Sequence, residues 1–194
     1  MLLLIPGIYS RHTPRVTHIV THGLKFHRQA TGARDEKLSE LLDSTVAVYQ
    51  GRVRNSDIKL IREFKEQQPV YCLGSEIRQV FANLIGNAID ASRKGGRIIL
   101  RTRDCRIGAS GTNAVRVTVA DTGHGMDSQA LTRIFEPFFT TKGTAGTGLG
   151  LWVSKGILDK HGAKIRVKSR QEGTVSGTVF SISFPIRSGI DLLK

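Results

Sequence analysis

The chain has little cysteine. Cys72 and Cys105 are the only two, too few for a disulfide framework or a four-ligand zinc site, so a reducing compartment is the simpler expectation. Acids are scarce as well: 16 Asp and Glu stand against 29 Lys and Arg, a formal net charge of +13. Such an excess admits nucleic acid, an anionic membrane or a phosphorylated ligand as partner, or serves solubility alone. The cations are spread along the chain, not gathered in one block. The densest acid-free stretch, with Arg11, Arg15, Lys25, Arg28 and Arg34, holds too few aromatics for a base-stacking surface, and no nucleic acid is expected. Long apolar runs are missing too. Met1-Leu2-Leu3-Leu4-Ile5 stops at Pro6-Gly7, and a bilayer span needs about 20 residues. The segment also lacks the basic lead and cleavage site of a signal peptide, so the chain is expected to be soluble.

With 194 residues, 39% hydrophobic and 23% charged, the chain suffices for one domain plus an appendage. Residues 1–15 carry Pro6, Gly7 and Pro14 without periodicity and read as an irregular leader. Val16, Ile19, Val20, Leu24 and Phe26 come close to helical spacing over 16–30. A helix is predicted over about 37–53 and a half-buried strand over 57–64. Residues 69–71 read as a short extended piece. The strongest helix runs from Ser75, its expected N-cap, to Arg93. Ile77, Val80, Phe81, Leu84, Ile85 and Ala88 recur there at three- and four-residue steps, and Gly95-Gly96 ends it. Strands over 97–106 and 114–120 suggest an antiparallel pair. A short helix over 127–134, a Gly/Thr-rich loop over 135–148, a helix over 149–160 and strands over 164–169 and 178–184 follow. A loop of that length in a compact domain is functional or mobile. The fold class is therefore α+β over about 37–187. It is a two-layer sandwich whose mixed, mostly antiparallel sheet is covered on one face by helices.

Three segments carry chemistry. Asn83 and Asn87 lie four apart on the strongest helix, with Asp90 near the same stripe. They are either solvent-side polar groups or an oxygen set for Mg²⁺ beside phosphate, since magnesium takes few protein ligands and keeps waters and phosphates for the rest. Asp121-Thr122-Gly123-His124-Gly125-Met126 follows a strand. Alone it reads as an ordinary turn. It could also place an acceptor-only carboxylate against an amino donor such as adenine N6, with glycines that let a ligand approach. Gly143 to Leu151 stacks glycines ahead of a helix, where bare N–H groups suit an anion. Its spacing is neither a Walker A nor a dinucleotide-binding sequence.

In this order the three segments resemble the ATP-binding catalytic domain of sensor histidine kinases, in the superfamily of the gyrase B, Hsp90 and MutL ATPases. Asn83 to Ala91 resembles the family's N box and Asp121 to Met126 its G1 box. Phe135-Glu136-Pro137-Phe138-Phe139-Thr140-Thr141-Lys142 resembles the F box, and Gly146 to Leu151 the G2 box. The resemblance covers about 37–187 and implies the Bergerat-type ATP-binding fold. It implies ATP and Mg²⁺ as ligands, with Asn87 on the metal, Asn83 and Asp90 beside the phosphates and Asp121 on the adenine amino group. Gly123, Gly125 and Met126 would shape the adenine pocket, with Thr178 near it. Phe135, Phe138 and Lys142 would belong to a mobile lid, and Gly146, Thr147, Gly148, Leu149 and Gly150 would meet the phosphates. Hydrolytic members carry Glu where this chain has Asn83. An amide is no general base, so the site resembles one that holds ATP for a nucleophile other than water.

A phosphoacceptor motif is missing. His12, His18, His22 and His27 have no adjacent acid, and His124 and His161 fall inside the ATP domain, so no catalytic residue is identified. Residues 16–36 resemble part of the second helix of a dimerisation hairpin with its linker, and 188–194 a C-terminal tail. The resemblance implies a histidine-bearing dimerisation domain and a response regulator as partners, and a homodimer in the full-length protein. It places this portion in the cytoplasm, with any membrane anchor in missing N-terminal parts. The alternatives are a non-catalytic ATP-binding or protein-interaction module and a serine-kinase anti-sigma factor of the same fold.

Overall fold

The structure is a computed structural model and describes residues 32–109, 111–143, 146–171 and 176–186. The expected leader, the helix expected over 16–30 with His18, His22 and His27, and the tail lie outside the described residues. The elements run β1 (Arg34–Glu36), α1 (Leu38–Asn55), β2 (Lys59–Lys65), β3 (Val70–Cys72), α2 (Gly74–Ala91), β4 (Arg97–Ile107), β5 (Thr112–Asp121), α3 (Ser128–Arg133), α4 (Gly150–Lys160), β6 (Lys164–Arg170) and β7 (Gly177–Pro185). Five strands form one sheet in the order β2-β4-β5-β7-β6. β2 and β4 are parallel, as a helical crossover through α2 permits; the other pairings are antiparallel. This is the expected mixed, mostly antiparallel sheet.

Period-two alternation decides which face meets the helices. Val115, Val117 and Val119 of β5 and Phe180, Ile182 and Phe184 of β7 are buried. They join Phe81, Leu84 and Ile85 of α2 and Leu38, Leu41 and Leu42 of α1 in one cluster. Each such side chain contributes roughly 1.5–3 kcal/mol on burial. The alternate positions Arg116, Thr118, Ser181 and Ser183 are only partly buried and turn to the uncovered face.

Several boundaries differ from expectation. β1, read as linker, pairs antiparallel with β3; three residues are too short to show periodicity. Ser75 is not the cap of α2. The helix starts at Gly74 after extended Leu73, whose N–H donates to His161 Nε2 (3.2 Å). No side-chain cap is formed there. At its far end α2 stops at Ala91, before Gly95-Gly96, because Ser92 is extended and its hydroxyl takes the Ala88 carbonyl. β2 begins at Lys59, two residues late, since Asp57 at φ 52° completes the turn after α1. The N-terminus of α1 is served from a distance: Glu66, just past β2, accepts the Ser39 N–H (2.8 Å) and the Thr102 hydroxyl.

Candidate functional site

Asp121 ends β5 with the inward parity of its buried valines, so its carboxylate lies on the helix side of the sheet. Its relative exposure is 9%. Oδ1 accepts the N–H groups of Gly123 (2.9 Å) and of Thr178 (3.2 Å), its cross-strand partner on β7. Burial raises the Asp121 pKa above the ordinary carboxylate value, against the opposing pull of those two N–H groups and His124. Both bonds fall on one oxygen. Thr178 Oγ1 lies 2.9 Å from Ser169 Oγ of β6. The Ser169 hydroxyl also receives the Met126 N–H (2.8 Å) and donates to the Gly177 carbonyl (3.1 Å). Ser169 thus binds the turn to both closing strands.

The glycines of this turn admit close approach of the protein's own backbone. A Cβ on Gly123 would stand 2.4 Å from the Ala91 carbonyl oxygen at the end of α2. Gly125 has φ +71°, and a Cβ there would stand 2.0 Å from the Arg170 carbonyl oxygen of β6.

On α2, neither asparagine is a free surface amide. Asn83 Nδ2 donates to the Gly150 carbonyl (2.9 Å) and to Ser154 Oγ (3.0 Å), tying α2 to the first turn of α4. Asn87 Oδ1 accepts from Lys142 Nζ (2.8 Å), and the same ammonium reaches Asp90 Oδ2 (2.7 Å). Asp90 Oδ1 pairs with Arg52 of α1. Burial alone would raise the Asp90 pKa, but Lys142 and Arg52 together outweigh it and hold the carboxyl below its ordinary value. Asp90 thus anchors Lys142.

A cleft of about 140 Å³ opens between these elements, lined by Asn87, Met126, Lys142, Thr147, Gly148 and Gly150, among others. Gly146 also borders it, together with Phe139, Thr140 and Leu151, which the sequence reading did not single out. Phe135 packs partly buried against the core, while Phe138 is 75% exposed at φ 65°. Gly148 has φ +66°, with the Phe138 backbone 2.3 Å from where a Cβ would be. Leu149 precedes α4, and its N–H donates to Thr147 Oγ1 (3.4 Å). Asp121 and Thr178 are not among the cleft residues; Met126 spans the two groups, with its N–H on Ser169 and its place in the cleft wall.

His161 is structural. Nε2 accepts from Leu73, so Nδ1 carries the proton and donates to the Ile157 carbonyl (2.9 Å). Both ring nitrogens are thereby engaged within the fold. Sequence reading missed Ser169, Ser154 and Arg52. The first two are ordinary strand and helix serines with no local signal.

A sandwich with an Asp turn, a two-asparagine helix and a glycine-bounded helix start defines a class of nucleotide-binding domain. The model of the histidine kinase-, DNA gyrase B- and HSP90-like ATPase family matches residues 73–188, and the chain belongs to that family. Within it, the chain is similar to the ATP-binding catalytic domains of sensor histidine kinases. It is 32% identical over 187 residues to sporulation kinase E of Bacillus subtilis (strain 168), covering 95% of this chain and 24% of that protein. The catalytic domain of histidine kinase ThkA aligns with TM-score 0.67 at 32% identity, over 80% of this chain and 96% of that one. ThkA in complex with the response regulator TrrA aligns with TM-score 0.66 at 28% identity, over 89% and 48%. The chain therefore spans about a quarter of the length of its curated relative. Among the described residues no helix is long and apolar enough to cross a membrane.

Proposed function

We propose that this chain is the catalytic part of a two-component histidine kinase, binding Mg-ATP and presenting its γ-phosphoryl group to a histidine on a dimerisation domain. The observation that carries the reading is the buried Asp121. Its Oδ1 is held by Gly123 and Thr178, which frees Oδ2 to accept the adenine amino group. The cleft beside Asn87 and the start of α4 takes the phosphates, with N–H groups near Gly148 and Gly150 facing them. Gly123 and Gly125 support the pocket indirectly, by setting the turn between α2 and β6.

The donor set fits a cation. Lys142 already places a positive charge on Asn87 Oδ1 and Asp90 Oδ2, so that corner of the cleft attracts one. Asn87 would hold Mg²⁺, which when bound neutralises phosphate charge and fixes phosphate orientation. Lys142 and the metal compete for the same amide oxygen. Asn87→Ala is expected to abolish the enhancement of nucleotide binding by magnesium, read by calorimetry with and without the metal. Lys142→Met is expected to lower the magnesium concentration that half-saturates this enhancement. Equal enhancement in Asn87→Ala and the parent would remove the metal from this residue.

The amide of Asn83 cannot take a proton from water at neutral pH and is spent on Gly150 and Ser154. His161 has no free nitrogen for phosphorylation. Phosphoryl transfer rests on positioning and charge stabilisation, so Mg-ATP without an in-line acceptor should persist. The test is incubation with γ-labelled ATP, alone and with a supplied dimerisation hairpin, followed by an acid-lability assay. Acid-labile label on the hairpin supports the reading; label that is absent from it, with ATP bound, overturns it.

Acid should weaken nucleotide binding early. Protonated Asp121 offers a donor where an acceptor is needed, and its pKa lies above the ordinary carboxylate value. Affinity is expected to fall as pH drops through that raised pKa and to be fully present above it. An affinity that stays flat until the ordinary carboxylate range would contradict this.

A further inference from the structure

A groove lies on the other side of the sheet, away from the helices. Its volume is about 470 Å³, and Arg106, Arg116, Lys164, Arg166 and Lys168 line it. Among the described residues no acid lines it and none of these five cations has a carboxylate partner. The strand register explains the cluster. Ser183 on β7 is flanked by Arg116 of β5 and Lys164 of β6, and Ser181 is flanked on the β6 side by Arg166. Arg116 also stands directly opposite Arg103 of β4. Like charges directly opposite each other destabilise a sheet, so folding alone does not account for the arrangement.

We propose that this groove is a second ligand site, for a compact small molecule carrying several phosphate groups. Cations two residues apart on β6 stand about 7 Å from one another, and β5 lies about 10 Å across from β6. A ligand with phosphates several ångströms apart meets charge from both sides and hydroxyl donors from Ser181 and Ser183 between. Arg116 Nε already leans on Ser183 Oγ (3.4 Å), which orients its guanidinium within the groove. The volume falls in the range of small-molecule sites. Among the described residues no aromatic side chain lines the groove, which leaves them without a stacking platform for single-stranded nucleic acid. A concave wall likewise suits a compact anion better than a flat bilayer surface. The site stands apart from the helix-side cleft and does not depend on the nucleotide reading.

The experiment titrates the 194-residue chain with inorganic tripolyphosphate in magnesium-free buffer at physiological ionic strength, with and without excess ADP. Expected is saturable 1:1 binding that ADP does not displace. The triple variant Arg116→Ser, Arg166→Ser, Lys168→Ser should bind on the order of 100-fold more weakly or worse, since charge-assisted contacts are the strong ones. Its melting temperature should hold, because Arg116→Ser relieves the repulsion with Arg103. If the triple variant does not fold, Arg116→Gln alone should still weaken binding by roughly tenfold. Absent or non-saturating binding, full displacement by ADP, or variants that bind like the parent would overturn the proposal. So would preference for duplex DNA or anionic vesicles over tripolyphosphate at equal phosphate concentration.

Discussion

Asp121→Asn is expected to lower ATP affinity roughly 5- to 150-fold while leaving the fold intact. The variant keeps the size and planarity of the side chain. Its amide oxygen takes over from Oδ1, because the N–H groups of Gly123 and Thr178 both need an acceptor there. That fixes the orientation and turns the new NH₂ toward the place of the adenine amino group. Donor then faces donor, and an unsatisfied buried polar group costs about 1–3 kcal/mol, which is the stated range of affinity. Calorimetric titration with Mg-ATP measures it, with thermal denaturation as the control for folding. Unchanged affinity would move the adenine away from this turn.

Gly125→Ala is expected to lose roughly 2–4 kcal/mol of stability, a fall in melting temperature of roughly 5–15 °C for a chain of this size. Gly125 sits at φ +71°, and the left-handed region costs an L-residue about 1–2 kcal/mol. The added Cβ would also stand 2.0 Å from the Arg170 carbonyl oxygen. That is backbone of β6, not a flexible side-chain end, so the turn or the strand has to move. Gly143→Ala is the matched control. It has positive φ, 54°, but nothing within 4 Å of the new atom, and should lose only about 1–2 kcal/mol. Similar melting temperatures for the two variants would show that the approach to β6 carries no weight.

The class of this fold and the order of its candidate motifs are legible along the chain. Alternating valines in β5, the three- and four-residue apolar steps of α2, and the glycines before α4 are local patterns, and local patterns survive in one dimension. They suffice to read a mixed sheet under helices, while the candidate roles of Asn87, Asp121, Lys142 and Gly148 rest on the family resemblance of the motifs that contain them. The tertiary structure alone decided what each of those groups touches. Asp121 takes an N–H from Thr178, 57 residues away, through strand register. Asn83 holds Ser154, 71 residues away, through helix packing. Arg52 reaches Asp90 across 38 residues. None of these separations repeats, so no periodicity announces them. The same holds for charge: +13 is a property of the composition, but its gathering into a groove follows from β4, β5, β7 and β6 lying side by side. Chain order does not give that adjacency, because β6 and β7 come last and β7 inserts beside β5.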